Sequence, residues 1–461
     1  KFGELTISAT PTFAGSILDG IKYLVKFPYG CVEQTASALL GNLAAKNLMD
    51  IIPSENKNID LKDLQRKVEV GLQGLYKYQQ PDFGWGLWSS SRTAPYLSAY
   101  ALFTLNEAKK AGYTVDEQIV KNGLIYLKNL LQNHPPQADG KNNKYEQNTR
   151  AFILYVLSEM GNGDLGLSNN LFEFKDNLSL FAKVYLAMDF YNLLKQNGSV
   201  QKNIDILKRD ILSRVLETPR GAHFEEKEHD YVSFDTDTRT NALVLQMLAR
   251  IDPQNPLLPK LLRHLLMTKK DGHFQSTQET SISLLALIDY LKLTREFDVD
   301  YTGTITINNV LKMKKSFTGK NIFQKGNGND EKLVIPLADL LPNNQDNEIA
   351  ASRSGKGKMY VDMNLKYYVP TEELVEKNEG IVVNQEYFGL DDKKHEHPLE
   401  SVKLGENLKG KITIIVPEDR YYVMVEDYLP AGLEGIDFTL KTSQQGLQED
   451  CRGGFEDEQT A

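Results

Sequence analysis

One structural unit recurs along the first 300 residues and constrains the fold more than any other feature of the sequence. Each copy has a turn with glycine and an aromatic residue, then a threonine, then a run with helical apolar spacing. The copies are Phe83–Trp88 before Ala99–Lys110, Gly221–Phe224 before Thr238–Ala249, and Gly272–Phe274 before Thr277–Leu291, with a looser copy at Tyr145–Met160. Such a helical hairpin cannot bury its apolar face alone, so the copies must stack.

Two stacking arrangements fit this repeat, a closed ring and a linear solenoid. The repeat length is irregular and no copy reads as a polar cap, which favours the ring. We therefore predict an α/α toroid whose inner helices are rich in small and apolar residues and whose outer helices are more charged. The linear solenoid is the alternative.

The periodicity changes to two residues near residue 300, which predicts short strands and β-sandwiches rather than a parallel sheet. The predicted strands are Thr304–Asn308, Lys332–Pro336, Met359–Val369, Gly380–Phe388, Lys411–Val416 and Tyr421–Glu426, with a polar turn at Gly326–Asp330. The opening run Glu4–Ala9 also alternates, and we expect it to pair with the first β module across the inserted helical domain. The charged linker Pro370–Glu379 is expected to separate this module from a second one.

Composition excludes several classes of protein. The chain has 461 residues, a net charge of -9 and no basic stripe, which argues against a nucleic-acid or anionic-membrane surface. No apolar run reaches the roughly 20 residues of a membrane span. Two cysteines, Cys31 and Cys451, cannot form a disulfide framework. The sequence begins at Lys1 without a charged-then-apolar leader, so we expect a piece of a longer chain whose compartment is not readable from its start.

The segment Phe27–Ser37 carries the most chemistry. Gly30 breaks structure ahead of a helical run, so Cys31 to Gln34 are expected at the start of a helix, where the dipole favours a thiolate at Cys31 and an anion at Glu33. Side chains three residues apart on a helix are neighbours, so the sulfur can reach the Gln34 carboxamide carbon. Loss of ammonia would leave an internal thioester. The alternative is a small buried cysteine beside helix-capping residues.

A thioester survives only where water is excluded, so aromatic side chains near this segment are of interest. The candidate screens of the pocket are Phe27, Tyr29, Trp85 and Trp88.

The eleven-residue string F-P-Y-G-C-V-E-Q-T-A-S, followed by helical repeats and β modules, resembles the C-terminal half of bacterial alpha-2-macroglobulins, relatives of the animal protein and of the thioester-containing complement proteins. Further similar segments are Leu97–Phe103, Gly272–Thr280 and Tyr421–Glu434. The resemblance implies a multidomain α plus β fold: an α/α-toroid thioester domain at 11–298 inserted in a CUB-like β-sandwich at 1–10 and 299–371. A macroglobulin-like β domain at 372–461 would follow.

The resemblance also assigns residues. Cys31 and Gln34 match the thioester pair, Glu33 and Gly30 match the supporting positions, and Phe27 stands where the bacterial pattern more often has tyrosine. Complement relatives place a catalytic histidine a little over a hundred residues past the cysteine.

That histidine is absent from the corresponding window here. The window contains Glu146 and Gln147, and His134 lies nearby in a proline-rich loop. Without an acyl-imidazole step, the acyl group is expected to pass directly to amines rather than hydroxyls.

By resemblance, the function is broad-spectrum inhibition of endopeptidases by a single-turnover covalent trap. The protein is therefore not expected to be an enzyme. Cleavage of a bait region upstream would expose the thioester, and a lysine of the attacking protease would take the acyl group. Upstream macroglobulin domains of the same chain are further partners, and no nucleic acid or membrane contact is expected. The resemblance also implies a role in bacterial defence, a periplasmic location, and a parent protein that is lipid-anchored to the inner membrane.

Two other functions fit the sequence. A terpenoid cyclase or glycosidase could use the same toroid, and Phe234–Thr238 resembles a cyclase acidic motif, although Asp235 and Asp237 are expected to cap the helix that follows them. A structural fragment in which no thioester forms is the other. No cofactor is implied, and His395 and His397 are expected in a solvated turn rather than at a metal. Cys451 is expected to remain a free thiol or to meet a group outside this part of the chain.

Overall fold

The computed structural model describes residues 3–26, 30–51, 61–133, 144–194, 198–219, 221–270, 272–319, 332–341, 345–369, 381–416, 425–426 and 428–436. The chain divides into two compact units, Lys1–Tyr367 and Tyr368–Ala461. The first unit contains a helical domain and a β-sandwich.

The helical domain alternates inner and outer helices. Within the described residues the helices are α1 (Ala14–Lys26), α2 (Val32–Ile51), α3 (Leu61–Lys77), α4 (Pro95–Lys110), α5 (Glu117–Asn133), α6 (Lys144–Glu159), α7 (Leu165–Phe172), α8 (Leu180–Leu193), α9 (Gln201–Leu212), α10 (Asp237–Ile251), α11 (Leu258–Thr268) and α12 (Thr277–Thr294). Each even-numbered helix packs against the next, and α12 packs against α2. The helices therefore form a closed ring, and the linear solenoid is wrong.

Sequence pattern separates the two rings of helices. The inner helix α8 is buried at nearly every position, which is typical of a helix surrounded by neighbours. The outer helix α9 buries only Ile204, Leu207 and Ile211, which lie at helical spacing along one face. The even-numbered helices consequently line the interior, and the odd-numbered helices other than the uncharged α7 carry the charged outer surface.

The recurring aromatic residues are core residues. Trp85, Phe224 and Phe274 precede α4, α10 and α12, and they are 0%, 0% and 3% exposed. The Trp85 indole N–H donates to the Leu75 carbonyl at 2.8 Å. Gly84 must lack a side chain, because an added Cβ would overlap the Thr93 methyl group. The repeated turns thus place one aromatic ring beneath the start of each of these inner helices.

Two sheets form the β-sandwich of the first unit. The described strands of this unit are β1 (Gly3–Thr10), β2 (Leu216–Thr218), β3 (Gly221–His223), β4 (Asp300–Ile307), β5 (Val310–Thr318), β6 (Leu333–Pro336), β7 (Ile349–Lys356) and β8 (Tyr360–Tyr367). The sheet orders are β6-β1-β8 and β5-β4-β7, and β2 and β3 form a separate hairpin within the helical domain. Leu5 and Ile7 of one sheet pack on Ile305 and Ile307 of the other.

The first strand, β1, pairs with strands that follow the helical domain, as predicted. β1 pairs antiparallel with both β6 and β8, so the sandwich is completed across the whole helical domain. Strands β5 and β7 were not predicted, because β5 carries three lysines and β7 is small and polar, and both are largely exposed. Neither strand has the apolar alternation that reveals a half-buried strand.

The described part of the second unit contains an antiparallel pair, β9 (Val382–Gly389) and β10 (Leu408–Ile415). These strands match two of the predicted ones. Most of the predicted strand Tyr421–Glu426, the turn Gly326–Asp330 and the linker Pro370–Glu379 lie outside the described residues. Among the described helices, none is both long and apolar enough to cross a membrane.

Candidate functional site

Cys31 lies immediately before α2, on the side of the ring where the inner helices begin. The backbone around it is anchored on both sides: Val32 N–H donates to the Leu87 carbonyl at 2.9 Å, and the Tyr78 hydroxyl donates to the Gly30 carbonyl at 3.0 Å. The Thr35 hydroxyl and N–H both donate to the Cys31 carbonyl at 3.0 Å. The cysteine is thus held in a fixed turn at the start of the helix.

The Gln34 side chain folds back onto this turn. Its Oε1 accepts a hydrogen bond from the Cys31 backbone N–H at 3.3 Å. A Cβ added to Gly30 would overlap Gln34 Oε1 and would lie 3.1 Å from its Cδ. The carboxamide therefore occupies the space that a side chain at position 30 would fill, beside Cys31.

The candidate screening residues have different environments. Trp88 is 46% exposed, and its Cη2 would lie 3.7 Å from a Cβ on Gly30, so this ring borders the Cys31 turn. Trp85 belongs to the core of the helical toroid, and its indole packs against Gly123 of α5. Phe27 and Tyr29 lie outside the described residues.

Burial controls the protonation of the cysteine. Cys31 is 8% exposed, and burial raises the pKa of its thiol, as does the nearby carboxylate of Glu33. Burial also raises the pKa of Glu33, against the effect of its hydrogen bonds from Ser37 and Thr277. The expectation of a helix-stabilised thiolate at Cys31 is wrong, because desolvation outweighs the local hydrogen bonds that favour the charged form.

Glu33 is held by hydroxyl groups from two helices. Ser37 Oγ donates to its Oε1 at 2.6 Å, and Thr277 Oγ1 of α12 lies 3.0 and 2.9 Å from Oε1 and Oε2. Ser37 Oγ is also 2.8 Å from the Tyr100 hydroxyl. No role was predicted for Ser37, Tyr100 or Thr277, although each lies in a segment that carries the family resemblance: Phe27–Ser37, Leu97–Phe103 and Gly272–Thr280.

The predicted selectivity residues lie in the first turn of α6. Gln147 is 4% exposed, and within the described part of the chain its Oε1 has no hydrogen-bond partner. Glu146 is on the same turn and raises the pKa of Arg150, which burial lowers to about 10. His134 lies outside the described residues.

The centre of the ring holds a buried arginine. Arg239 is 0% exposed, and its Nη1 donates to the Tyr96 hydroxyl and to Gln278 Oε1, each at 2.7 Å. Its guanidinium stacks over the Phe181 ring at 4.6 Å, and Asp235 Oδ1 lies 3.9 Å from Nη2. This arginine ties four inner helices together where they begin.

The acidic motif before α10 has a different role from the one predicted. Thr236, not Asp235 or Asp237, is the N-cap, and its hydroxyl accepts from the Arg239 N–H. Asp235 instead accepts from the Asp230 N–H at 3.2 Å, and Asp237 accepts from the Glu226 N–H at 2.7 Å. Both aspartates therefore fix the loop that leads into the helix.

His395 and His397 lie beside their own loop and strand residues. His397 Nδ1 lies 3.8 Å from Asp392, and the His395 ring packs on Phe388. Across the described ranges, no cluster of three or more His, Cys, Asp or Glu side chains is arranged to hold a metal ion. Cys451 lies outside the described residues.

The fold and site define a helical toroid that carries a Cys-Gln pair at the start of its first inner helix and is joined to β modules. Two family models match it: the A-macroglobulin TED domain over residues 7–141 and the bacterial alpha-2-macroglobulin MG10 domain over residues 380–459. The chain is thus a relative of the bacterial alpha-2-macroglobulins and corresponds to their C-terminal part, as the cysteine motif indicated.

Individual relatives agree with this assignment. Alpha-2-macroglobulin of Thermotoga maritima is 24% identical over 90% of this chain and 21% of its own length, and that of Escherichia coli is 26% identical over 97% and 25%. The chain therefore spans about a fifth to a quarter of the length of the curated relatives it matches. A crystal structure of Salmonella alpha-2-macroglobulin reacted with methylamine shares the fold, with a TM-score of 0.52, 19% identity, and coverage of 84% of this chain and 23% of that one.

Proposed function

We propose that this chain carries the covalent trap of a protease inhibitor, an internal thioester between Cys31 and Gln34. The observation that supports this most directly is the Gln34 carboxamide folded back onto the Cys31 N–H at 3.3 Å. In the reaction the Cys31 sulfur attacks Gln34 Cδ, the Cδ–Sγ bond forms and the Cδ–Nε2 bond breaks. The thiol proton leaves with the nitrogen as ammonia, so no further reactant is needed.

Capture of a protease follows from the same bond. A lysine amine attacks Gln34 Cδ, an amide forms, the Cδ–Sγ bond breaks, and Cys31 takes up a proton as a free thiol. The site is consumed, which makes the inhibition single-turnover and the protein a trap rather than an enzyme. The family-model matches and the names of the relatives support a function of the alpha-2-macroglobulin type.

The full inhibitor would combine this part with other domains. Bait cleavage in upstream macroglobulin domains would expose the thioester to a broad range of endopeptidases. We assign the sandwich of β1 and β4–β8 to a CUB-like domain and the region from 372 onward to a macroglobulin-like domain. By resemblance the parent protein acts in bacterial defence in the periplasm and is lipid-anchored.

Amines are the proposed acyl acceptors. The window at Glu146 and Gln147 offers no imidazole to form an acyl intermediate, so a hydroxyl would have to attack unaided. Methylamine is a minimal amine of this kind, and the Salmonella relative has been crystallised after reaction with it. Glu146 and Gln147 are therefore proposed to set the selectivity for amines.

Intact-mass measurement tests the thioester. The fresh protein is expected to weigh about 17 Da less than its sequence, the mass of one ammonia, and methylamine is expected to add its own mass and release one thiol. Cys31→Ala is the matched control, since it cannot close the bond. Fresh protein with its full sequence mass would contradict the proposal, and equal incorporation of methylamine and glycerol would contradict the amine preference.

A further inference from the structure

The ring closes where its first and last inner helices meet, and we call the contact between α2 and α12 the seam. Where these helices begin, the seam is polar: Thr277 Oγ1 lies 3.0 and 2.9 Å from the two carboxylate oxygens of Glu33. The two residues are 244 positions apart in sequence. Docking of the last inner helix is therefore what brings Thr277 to Glu33.

Buried hydroxyls extend the seam into the ring. Ser37 Oγ donates to Glu33 Oε1 at 2.6 Å and lies 2.8 Å from the Tyr100 hydroxyl, which in turn is 2.9 Å from Ser281 Oγ. Ser37, Tyr100 and Ser281 are all 0% exposed. The network thus joins α2, α4 and α12 through groups that water cannot replace.

The Glu33 carboxylate depends strongly on these partners. It is 6% exposed, and the hydrogen bonds described for it come from neutral hydroxyl groups. A buried charged group loses more free energy than an exposed one when a hydrogen-bond donor is removed. The position of Glu33 is accordingly sensitive to the presence of Thr277.

The position of Glu33 affects the positions of Cys31 and Gln34, because the three residues are close in sequence. Gln34 is the next residue and Cys31 precedes Glu33 by two, so all three lie within four consecutive residues where α2 begins. A rotation of this turn that frees Glu33 from Thr277 would also swing the Gln34 carboxamide relative to Cys31.

We propose that Glu33 and Thr277 are positioning residues that make closure of the Cys31–Gln34 bond depend on the docking of α12 at the seam. This inference rests on the proposed thioester. It means that the reactive group forms only once the ring is complete, because the approach of Sγ to Cδ and the departure of ammonia occur in a turn that the seam holds in place.

Thr277→Val tests the inference by removing the hydroxyl and keeping the branched shape. We expect this variant to fold. The fraction of molecules that show the ammonia deficit, the mass loss of about 17 Da on thioester formation, should fall about tenfold, because about one buried hydrogen bond is lost. Thr277→Ser restores a hydroxyl and is expected to restore that fraction. Thr280→Val is the matched control, because Thr280 is likewise buried, but its hydroxyl donates to the Ser276 carbonyl at 2.8 Å and accepts from the Phe274 N–H at 3.3 Å rather than bonding Glu33.

The outcomes separate this inference from the proposed function. Wild-type protein without the deficit would overturn both, whereas a deficit that folded Thr277→Val retains in full would overturn the positioning role alone. Circular dichroism and thermal unfolding report folding independently of mass. If Thr277→Val does not fold, Glu33→Gln tests the same inference. A folded Glu33→Gln variant that loses the ammonia deficit supports the positioning role, and one that keeps the deficit overturns this role.

Discussion

At the scale of single residues, Gly30 is the position of the site that tolerates substitution least. Any side chain there would overlap the Gln34 carboxamide oxygen, so the space beside Cys31 exists only because position 30 lacks a Cβ. The glycine is required here for close approach rather than for a special backbone angle.

Gly30→Ala is therefore expected to displace the Gln34 carboxamide and abolish the ammonia deficit while the helical domain stays folded. Gly15→Ala, on α1, is the matched control, because a Cβ at Gly15 meets nothing within 4 Å. The readouts are intact mass and circular dichroism. A Gly30→Ala protein with the normal deficit would show that the carboxamide does not need this space.

The residues of the site could be predicted only in part. Cys31, Glu33 and Gln34 are contiguous, so the motif identifies them and their i,i+3 spacing shows which side chains can meet. Tyr100 and Thr277 reach the same site from other helices, and no local pattern indicates a contact made across the ring. The protonation of Cys31 was mispredicted for the same reason, since burial is a property of the assembled ring.

At the scale of secondary structure, predictions were good where an element has one dominant period. The helices beginning at Thr277 and Lys144 and the strand at Gly3–Thr10 differ from prediction by a few residues at their ends. Polar strands such as β7 were missed, because their pairing partner rather than their own composition fixes them.

The inner helix α8 contains a carboxyl group that makes stability depend on pH. Asp189 is 0% exposed, accepts from Ser168 Oγ at 2.6 Å, and has one oxygen without a partner among the described residues. Burial raises its pKa from 3.8 to about 7. Between these values the folded state holds a proton that the unfolded state has released, so stability is greatest below about pH 4 and is lost as pH rises to about 7.

Asp189→Asn is expected to remove this dependence. Relative to wild type, the free energy of unfolding of the variant should rise by a few kcal/mol between about pH 4 and pH 7.5. Urea unfolding followed across this range measures the difference, and Asp176→Asn on the exposed surface controls for loss of a carboxylate. A constant difference between wild type and Asp189→Asn would show that Asp189 titrates normally.

At the scale of the whole molecule, the ring and the sandwich form one unit. Phe13, between β1 and α1, packs on Tyr290 of α12 and on Tyr360 of β8, with ring centroids 5.9 and 5.8 Å apart. Glu296 follows α12 and is hydrogen-bonded to the Tyr360 hydroxyl. Both ends of the helical domain are thus fixed to the same sheet.

A chain ending at Tyr367 is expected to retain this unit, because the hydrophobic cores of the ring and the sandwich are built from residues before that point. Thermal unfolding of the helical signal should shift by less than about 4 °C, and the ammonia deficit should persist. A larger decrease in melting temperature would show that residues after Tyr367 stabilise the first unit.

The pairing of β1 with β8 has a consequence for synthesis. The strand made first cannot find its partner until nearly all of the unit has left the ribosome, since β8 ends at Tyr367. Closing so long a loop costs little more free energy than closing a shorter one, but it slows folding. During that interval the apolar face of β1, with Leu5 and Ile7, has no sheet to cover it. The nascent chain therefore exposes this apolar strand face as a binding site for chaperones while the toroid is being translated.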